Sequence, residues 1–194
     1  MKNIVLCGIG GQGTILASKL IAAAAMKKGI PVMSAETIGM AQRGGSVFSH
    51  LRLGEGIQSP MIAKGSADII IGFEPGETVR MMPYLKENGT VVTSLHAVKP
   101  VTASLTGADY NAQTMTDYIA KCTDNAVFVD TEYACGILGN HKIVNVLLLG
   151  CAAETGELGL SKTDIEEAIK DKIPEKLIDL NMQALNFDFG GIKG

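Results

Sequence analysis

The strongest chemical signal in the sequence is a glycine-rich turn near the start of the chain. Its members are Gly8, Gly10, Gly11, Gln12 and Gly13. They form a G-x-G-x-x-G pattern between a strand-like run and a helical run, which is the context that this pattern needs. The glycines permit a tight turn and close approach of the backbone to a ligand, and the free N–H groups at the helix start attract phosphate or carboxylate. The pattern predicts nucleotide or anion binding, and the alternative is a tight β–α turn that binds nothing.

A lone arginine between small residues is the second candidate. Arg43 is followed by Gly44 and Gly45, and its guanidinium could pair with a carboxylate or a phosphate. The same pattern fits an exposed loop, and the residues by themselves favour that interpretation. Glu36 lies at the end of the next predicted strand, 23 residues after Gly13, where a dinucleotide-binding protein places its ribose-binding acid.

The histidines and cysteines complete no catalytic or metal-binding pattern. The three histidines, at 50, 96 and 141, are scattered, and none of the four cysteines belongs to a Cys-x-x-Cys pair. Iron–sulfur clusters normally take four thiolates at short spacings, so we expect buried structural cysteines, no metal on this chain and no identifiable catalytic residue. His96 is a weak candidate because it follows a predicted strand, whereas Glu74 and Glu77 are expected to cap a helix.

The elements that must position these residues alternate between strands and helices. Strands are predicted at 2–7, 31–35, 47–53, 67–73, 90–95 and 126–130, and helices at 14–28, 75–85 and 111–121. The two unlike faces of 47–53 indicate a strand at an edge of the sheet, and Asn88-Gly89 is expected to turn the chain into the strand that follows. From residue 131 only helices are predicted, including an apolar one at 143–153 that must be buried. The pattern predicts an α/β fold with three layers, a mostly parallel, Rossmann-like sheet and a helical C-terminal segment.

Length and charge set limits on the class of protein. The 194 residues predict a single α/β domain over 1–194, with a helical part from about 131 to 194. The net charge of −3 argues against nucleic-acid binding, and the apolar runs are far shorter than the roughly 20 residues of a membrane span. The N-terminus is typical of a first strand and not of a signal peptide, which predicts a cytoplasmic protein.

Four blocks of the sequence resemble the gamma component of 2-oxoacid:ferredoxin oxidoreductases. They are residues 4–13, 42–52 and 67–77, and Asn145 with the Leu-Leu-Leu-Gly run at 147–150. The blocks occur in the order of that family and together cover most of the chain. The branch that the sequence resembles most is the beta subunit of indolepyruvate:ferredoxin oxidoreductase. Thr14 departs from the family, which more often has valine at this position.

The resemblance implies oxidative decarboxylation of an aryl 2-oxoacid by coenzyme A to an acyl-CoA, carbon dioxide and reduced ferredoxin. It places thiamine diphosphate and the iron–sulfur clusters on a large partner subunit, leaves this chain without a cofactor, and brings ferredoxin to the complex. The turn at 8–13, Arg43 and Gly44 would then help to hold coenzyme A, or shape the cleft against the large subunit.

Two other functions remain open at this point. One is a free-standing NAD(P)-binding protein, which the glycine pattern and Glu36 support, although the family that the sequence resembles does not use NAD. The other is a non-catalytic scaffold subunit in which the glycine turn is only structural.

Overall fold

A six-stranded sheet lies at the centre of the computed structural model, which describes residues 1–38, 44–99 and 110–189. The strands are β1 (Lys2–Ile9), β2 (Val32–Ile38), β3 (Ser46–Leu53), β4 (Ala67–Gly72), β5 (Leu85–Ser94) and β6 (Ala126–Val129). The helices are α1 (Thr14–Lys27), α2 (Pro75–Met81), α3 (Ala112–Cys122), α4 (Thr131–Leu138), α5 (Val144–Glu154), α6 (Lys162–Lys172) and α7 (Glu175–Leu185). Single 3-10 turns at Met82–Tyr84 and His141–Ile143 lead into β5 and α5.

The strand order across the sheet is β2-β3-β1-β4-β5-β6. Strands β1, β4, β5 and β6 pair in parallel, and β3 alone runs against both of its neighbours, β1 and β2. The predicted α/β fold with a mostly parallel sheet is therefore confirmed. The predicted edge position of the strand at 47–53 is wrong, because β3 lies between β1 and β2 and β2 forms the edge.

The two unlike faces of β3 have a different cause, which is that a loop covers the second face. Leu51 belongs to the core on the α1 side, and His50 on the opposite face is also buried. The His50 Nδ1 accepts a hydrogen bond of 2.9 Å from the backbone N–H of Ile62, which lies in the segment between β3 and β4. A polar side chain with such a partner can be buried at little cost, so alternation of polarity did not mark an edge here.

Helices cover both faces of the sheet and make the three predicted layers. Alternate residues of β1 point to opposite sides, so Ile4 and Leu6 pack against α1 and the C-terminal helices, whereas Val5 and Cys7 pack against α2 and α3. The larger core lies on the C-terminal side. None of the helices in the described ranges is long and apolar enough to cross a membrane.

The connection from β4 to β5 departs from the prediction in two places. The helix that begins at Pro75 ends at Met81 instead of near Leu85, because Pro83 has no N–H group and cannot continue a helix. Asn88 does not turn the chain into the strand. It lies inside β5 with a φ of 57°, next to an irregularity in the pairing of β5 with β4, so β5 begins five residues before the predicted start at Thr90.

The C-terminal helices pack around α5, which is buried on nearly all sides. Its buried residues are Asn145, Val146, Leu147, Leu148, Leu149, Gly150 and Ala152. A helix that is apolar all round must be surrounded by protein, and the predicted burial of this helix is confirmed. Helix α6 begins with a capping box in which Ser161 and Asp164 exchange side-chain and backbone hydrogen bonds.

Candidate functional site at the carboxyl edge of the sheet

The glycine turn begins inside β1 and ends at the first residue of α1. Gly8 still pairs with Val47 of β3, so the strand runs two residues further than the sequence predicted. A Cβ atom on Gly8 would lie 2.7 Å from Gln12 Oε1 and 2.8 Å from Phe73 Cβ. Close packing therefore requires glycine at position 8. At position 11 the backbone conformation is the reason for glycine, since Gly11 has a φ of 109° and open space around it.

The side chain of Gln12 ties the turn to the neighbouring strand. Its Oε1 accepts a hydrogen bond of 2.7 Å from the Ile9 N–H, and its Nε2 donates one of 3.1 Å to the carbonyl of Phe73, the residue that follows β4. The strands that follow β1 in the chain, β2 and β3, lie on one side of it, and β4, β5 and β6 lie on the other. The parallel neighbours β1 and β4 therefore form the switch point of the sheet, and ligands of open α/β sheets bind beyond such a point. Gln12 therefore lies at the base of the expected ligand site, and both the oxygen and the nitrogen of its amide form hydrogen bonds with the backbone of this chain.

The last glycine of the turn rests on α5. Gly13 has a φ of 83° and is the N-cap of α1, with no side chain bonded to the free N–H groups of the first turn. A Cβ atom on Gly13 would lie 2.8 Å from Asn145 Nδ2. Asn145 is buried, and its Oδ1, like the buried Thr14 Oγ1, has no hydrogen-bond partner among the residues that the structure describes.

The second glycine pair of the sequence meets the first one. The Gly10 N–H donates a hydrogen bond of 2.8 Å to the Gly45 carbonyl, and the Gly44 N–H donates one of 3.4 Å to the Gly10 carbonyl. Gly44 has a φ of 77°, which glycine adopts without strain. Arg43 lies outside the described residues. The structure therefore brings together the turn at 8–13 and Gly44, which were proposed as one site, and Arg43 precedes Gly44 in the chain.

A cleft of about 430 Å³ opens beside the turn. Its lining residues are Ile9, Gly10, Gly11, Gly13, Thr14, Ile15 and Val47. The first turn of α1 contains no acidic residue, so the partial positive charge of the helix N-terminus is not neutralised there. The cleft combines an apolar wall with free backbone N–H donors, and this arrangement suits a ligand that has an anionic group on an apolar or neutral body.

Two buried carboxylates lie at the start of α2, on the other side of the sheet. The Glu74 Oε2 accepts a hydrogen bond of 2.8 Å from the Glu77 N–H, so the predicted capping role of Glu74 is confirmed. Its Oε1 accepts hydrogen bonds from the Tyr110 hydroxyl at 2.9 Å and from the Val98 N–H at 3.3 Å. Burial raises the pKa of Glu74, against the opposing effect of these donors. Glu77 accepts a hydrogen bond of 2.5 Å from Ser46 Oγ, at the start of β3.

The remaining candidates lie apart from the glycine turn. Glu36 is exposed on the edge strand β2, opposite Ser49 of β3. Since β3 separates β2 from β1, Glu36 is displaced by about 10 Å, two strand spacings, from the strand that carries the turn. His96 lies near the surface with its Nδ1 3.7 Å from Glu132 Oε1.

The cysteines are dispersed over the structure. Cys7 and Cys135 are buried, Cys151 is half-buried and Cys122 is exposed. Burial raises the pKa of Cys7, and raises that of Cys151 to about 12. In the part of the chain that the structure describes, no group of three or more His, Cys, Asp or Glu side chains is arranged to hold a metal ion.

With this geometry in place, comparison with known proteins decides the family. The model of the family described as pyruvate ferredoxin/flavodoxin oxidoreductase matches residues 3–187. The chain belongs to this family. Its membership makes the chain a subunit of a 2-oxoacid ferredoxin oxidoreductase, and the resemblance seen in the sequence is confirmed.

Two relatives and one solved structure show where the chain stands in the pyruvate ferredoxin/flavodoxin oxidoreductase family. The indolepyruvate oxidoreductase subunit IorB of Pyrococcus horikoshii is 37% identical, over 97% of this chain and 93% of that one. The common gamma subunit of the pyruvate/ketoisovalerate oxidoreductases of Thermococcus kodakarensis is 28% identical, over 95% and 93%. The fold also occurs in the 2-oxoglutarate:ferredoxin oxidoreductase of Magnetococcus marinus, with a TM-score of 0.69 and 17% identity, where it matches 95% of this chain but 29% of that longer one.

Sequence reasoning missed several residues that build the carboxyl edge. Asn145 belongs to a family block, but nothing in its spacing places it under Gly13. Thr14 stands out in the sequence only as a departure from the family. The contacts of Tyr110 with Glu74 and of Ser46 with Glu77 join segments far apart in the chain, so no local pattern could have predicted them.

Proposed function

We propose that this chain is the small subunit of an indolepyruvate:ferredoxin oxidoreductase that works in the cytoplasm on indolepyruvate or a related aryl-pyruvate. In the proposed reaction the 2-oxoacid loses carbon dioxide, its acyl group forms a thioester with coenzyme A, and the electrons released pass to ferredoxin. The chemistry takes place on a large subunit that holds thiamine diphosphate and the iron–sulfur clusters. This chain alone is inactive.

The observation that carries the proposal is the identity to the Pyrococcus indolepyruvate subunit over nearly the whole length of both chains. At 37% this identity is well above the 28% shared with the subunit named for pyruvate and ketoisovalerate. We assign the thiamine- and cluster-binding functions to a separate large subunit, as the resemblance of the sequence implies.

The carboxyl edge supports a contact with coenzyme A. Coenzyme A carries phosphates on an otherwise neutral body, and the cleft beside the turn offers the free N–H groups of α1 next to an apolar wall. We assign the phosphate contact to the backbone at 10–13 and to Gly44 and Arg43, with Gln12 as the residue that holds the turn in shape. The solved structure of the Magnetococcus enzyme that shares the fold has 2-oxoglutarate, coenzyme A and succinyl-CoA bound.

The geometry argues against the NAD(P)-binding alternative. In dinucleotide-binding folds the strand that carries the ribose-binding acid lies beside the strand that carries the glycine turn, whereas here β3 lies between them. The scaffold alternative has one observation in its favour, which is that both ends of the Gln12 side chain are used inside the chain.

Co-expression with the large subunit under anaerobic conditions tests the proposal. We expect a stable complex that reduces viologen with indolepyruvate only when coenzyme A is present, and a kcat/KM for indolepyruvate that exceeds those for pyruvate and 2-oxoglutarate. Failure of the two chains to co-purify, or a preference for pyruvate, contradicts the assignment.

Substitution of Arg43 separates the coenzyme A contact from a scaffold role. Arg43→Ala removes a charge-assisted contact that is typically worth about 1.5–3 kcal/mol, so KM for coenzyme A should rise by roughly 10- to 100-fold while KM for indolepyruvate stays constant. Arg80→Ala is the control, since Arg80 is an arginine on α2 that is 66% exposed and forms its ion pair with Glu77, 3.6 Å away, and not with the glycine turn. An unchanged KM for coenzyme A in the Arg43 variant favours the scaffold alternative.

A further inference from the structure

The start of β3 lies directly against the glycine turn and forms part of the cleft beside it. The Gly10 N–H donates a hydrogen bond of 2.8 Å to the Gly45 carbonyl. Ile9 and Ser46 are the last residue pair of β1 and β3. The next residue of β3, Val47, lines the cleft together with Ile9 and Gly10. The glycine turn therefore forms one wall of the cleft, and the start of β3 forms another.

The serine at the start of β3 is held from the opposite face of the sheet. Successive side chains of a strand point to opposite faces, so Val47 faces the cleft beside α1 and Ser46 faces the side that α2 covers. The Ser46 hydroxyl donates a hydrogen bond of 2.5 Å to Glu77 Oε2, which is 31 residues further along the chain. A carboxylate of α2 thus holds the strand whose next residue lines the cleft.

Glu77 is 6% exposed, and a buried carboxylate is costly unless it is paired or hydrogen-bonded. It is the third residue of α2 after the N-cap Glu74. In a capping box the side chain at this position returns to the N–H of the N-cap residue, whereas the Glu77 carboxylate contacts Ser46 Oγ and, at 3.6 Å, the Nε of Arg80. Since Arg80 is 66% exposed, its ion pair contributes little. The bond to Ser46 is therefore the short contact that compensates for burying this carboxylate.

The second buried carboxylate of α2 has a different use. The Glu74 Oε2 caps the helix by accepting the Glu77 N–H, and its Oε1 accepts hydrogen bonds from the Tyr110 hydroxyl and the Val98 N–H. Glu74 therefore supplies the side-chain cap of α2 and contacts the chain between β5 and α3. The side chain of Glu77 is not needed for that cap, and its short bond goes to the start of β3.

We propose that Glu77 is a positioning residue for the coenzyme A cleft, and that it acts through Ser46 from the opposite face of the sheet. The inference rests on the proposed function, which supplies the ligand. By fixing Ser46, Glu77 holds the Gly45 carbonyl where it accepts the Gly10 N–H and holds Val47 in the wall of the cleft. Glycine backbone is free to move on its own, and a site that is ordered before its ligand arrives binds that ligand more tightly.

Alanine variants of the two bonded residues test this role in the co-expressed complex. Ser46→Ala removes the donor without changing α2, and Glu77→Ala removes the acceptor. Each should raise KM for coenzyme A by roughly tenfold, as expected for loss of a bond to a charged group, while kcat and KM for indolepyruvate stay constant. The double variant should be no worse than either single one, because both remove the same bond.

A conservative variant separates positioning from a contribution to stability alone. Glu77→Gln keeps an oxygen that can accept the Ser46 hydroxyl, so it should return KM for coenzyme A to within about threefold of the wild type. A residue that only stabilised the fold would lower the Tm and the amount of active complex without a selective change in KM for coenzyme A. If Glu77→Ala does not fold, Ser46→Ala and Glu77→Gln decide the question.

A measurement on the isolated chain tests the contact without the large subunit. Amide hydrogen exchange followed by NMR reports on the Gly10 N–H, which its bond to the Gly45 carbonyl protects. Ser46→Ala and Glu77→Ala should each speed this exchange by roughly tenfold, since local opening of the turn becomes easier. The N–H of Leu51, inside β3, should exchange as in the wild type.

Two control variants remove similar interactions and leave the bond between α2 and β3 intact. Ser161→Ala is the matched control, since Ser161 also donates its hydroxyl to a carboxylate, that of Asp164 at 2.8 Å, at the start of α6. Arg80→Ala removes the ion pair of Glu77 and keeps its bond to the serine. Both controls should leave KM for coenzyme A and the exchange of the Gly10 N–H unchanged.

The outcomes separate this inference from the proposed function. If the wild-type complex has no activity that depends on coenzyme A, the proposed function fails, and the role of Glu77 toward coenzyme A fails with it. If the complex is active and both alanine variants keep the wild-type KM for coenzyme A, the inference alone is overturned. Unchanged exchange of the Gly10 N–H in both variants also overturns it. A selective rise in KM together with faster exchange, restored by Glu77→Gln and absent from the controls, supports it.

Discussion

Helices α4 and α5 follow one another along the chain, and each has a glycine in its interior, but the two glycines have opposite surroundings. A Cβ atom on Gly150 of α5 would lie 2.2 Å from the carbonyl oxygen of Leu185, whereas one on Gly136 of α4 would meet nothing within 4 Å. Gly150 is thus explained by packing within the chain, since it allows α7 to cross α5 closely. Nothing in the described part of the chain packs against Gly136 in this way.

The same contrast holds for the apolar residues of the two helices. The large apolar side chains at 146–149 of α5 are buried, whereas in α4 the small residues Ala134 and Cys135 are buried and the large residues Tyr133 and Ile137 are exposed. The comparison shows that the two helices have different places in the fold. Helix α5 forms the centre of the core and supports the glycine turn through Asn145, and α4 presents a surface at the edge of the molecule.

The largest effect is expected from placing a charge on each helix. Leu148→Asp would bury a carboxylate at a fully buried position of α5, and should destabilise the chain by several kcal/mol or prevent folding. Ile137→Asp on the outer face of α4 should change the free energy of unfolding of the isolated chain by less than about 0.5 kcal/mol. Urea unfolding measures both. Equal losses would show that the two helices are equally buried and would remove the contrast.

Alanine at each glycine gives a smaller effect of opposite sign. Gly150→Ala forces a methyl group against the Leu185 carbonyl and should cost about 1–3 kcal/mol. Gly136→Ala should stabilise the isolated chain by about 1 kcal/mol. Thermal unfolding of the two variants beside the wild type provides the measurement, and a Gly136→Ala variant that is less stable than the wild type would mean that this glycine does have a role in the fold.

The sequence predicted the parts of the molecule that depend on local pattern. The apolar run around Leu148 was predicted to be buried because it leaves no solvent face, and the G-x-G-x-x-G pattern was predicted to join a strand to a helix. Both follow from chain geometry within one or two elements. The place of β3 inside the sheet could not be predicted, because the burial of His50 depends on Ile62 in a loop that periodicity does not describe.

The backbone turn of the candidate site could be predicted from the sequence, whereas the residues that pack against this turn could not. The spacing of the glycines predicted the turn. The contacts of Gly10 with Gly45 and of Gly13 with Asn145 could not be predicted, because they join segments that are distant in the chain. Gly136 is a second residue whose surroundings the sequence does not predict. In the sequence it is one of 23 glycines, and only the empty space around it shows that the described fold does not require it.

The smallest expected effect is on the reactivity of the cysteine thiols, which shows whether α4 stays folded in the isolated chain. A loosely packed α4 would tolerate a glycine such as Gly136 in its interior. Cys135 of α4 and Cys151 of α5 distinguish these cases, because burial raises the pKa of both thiols, to about 12 for Cys151. A thiol whose pKa is raised in this way stays protonated at pH 8, and the thiolate is the reactive form.

We therefore expect iodoacetamide at pH 8 to alkylate the exposed Cys122 of the native chain and to leave Cys135 and Cys151 unmodified until urea is added. Peptide mass spectrometry over a time course gives the rate at each cysteine. Since the folded chain holds these protons more tightly than the unfolded one, its stability should also fall as the pH rises above about 9, where free thiols ionise. Alkylation of Cys135 at a rate near that of Cys122 would show that α4 opens in the isolated chain, and this local opening would then account for the glycine at position 136.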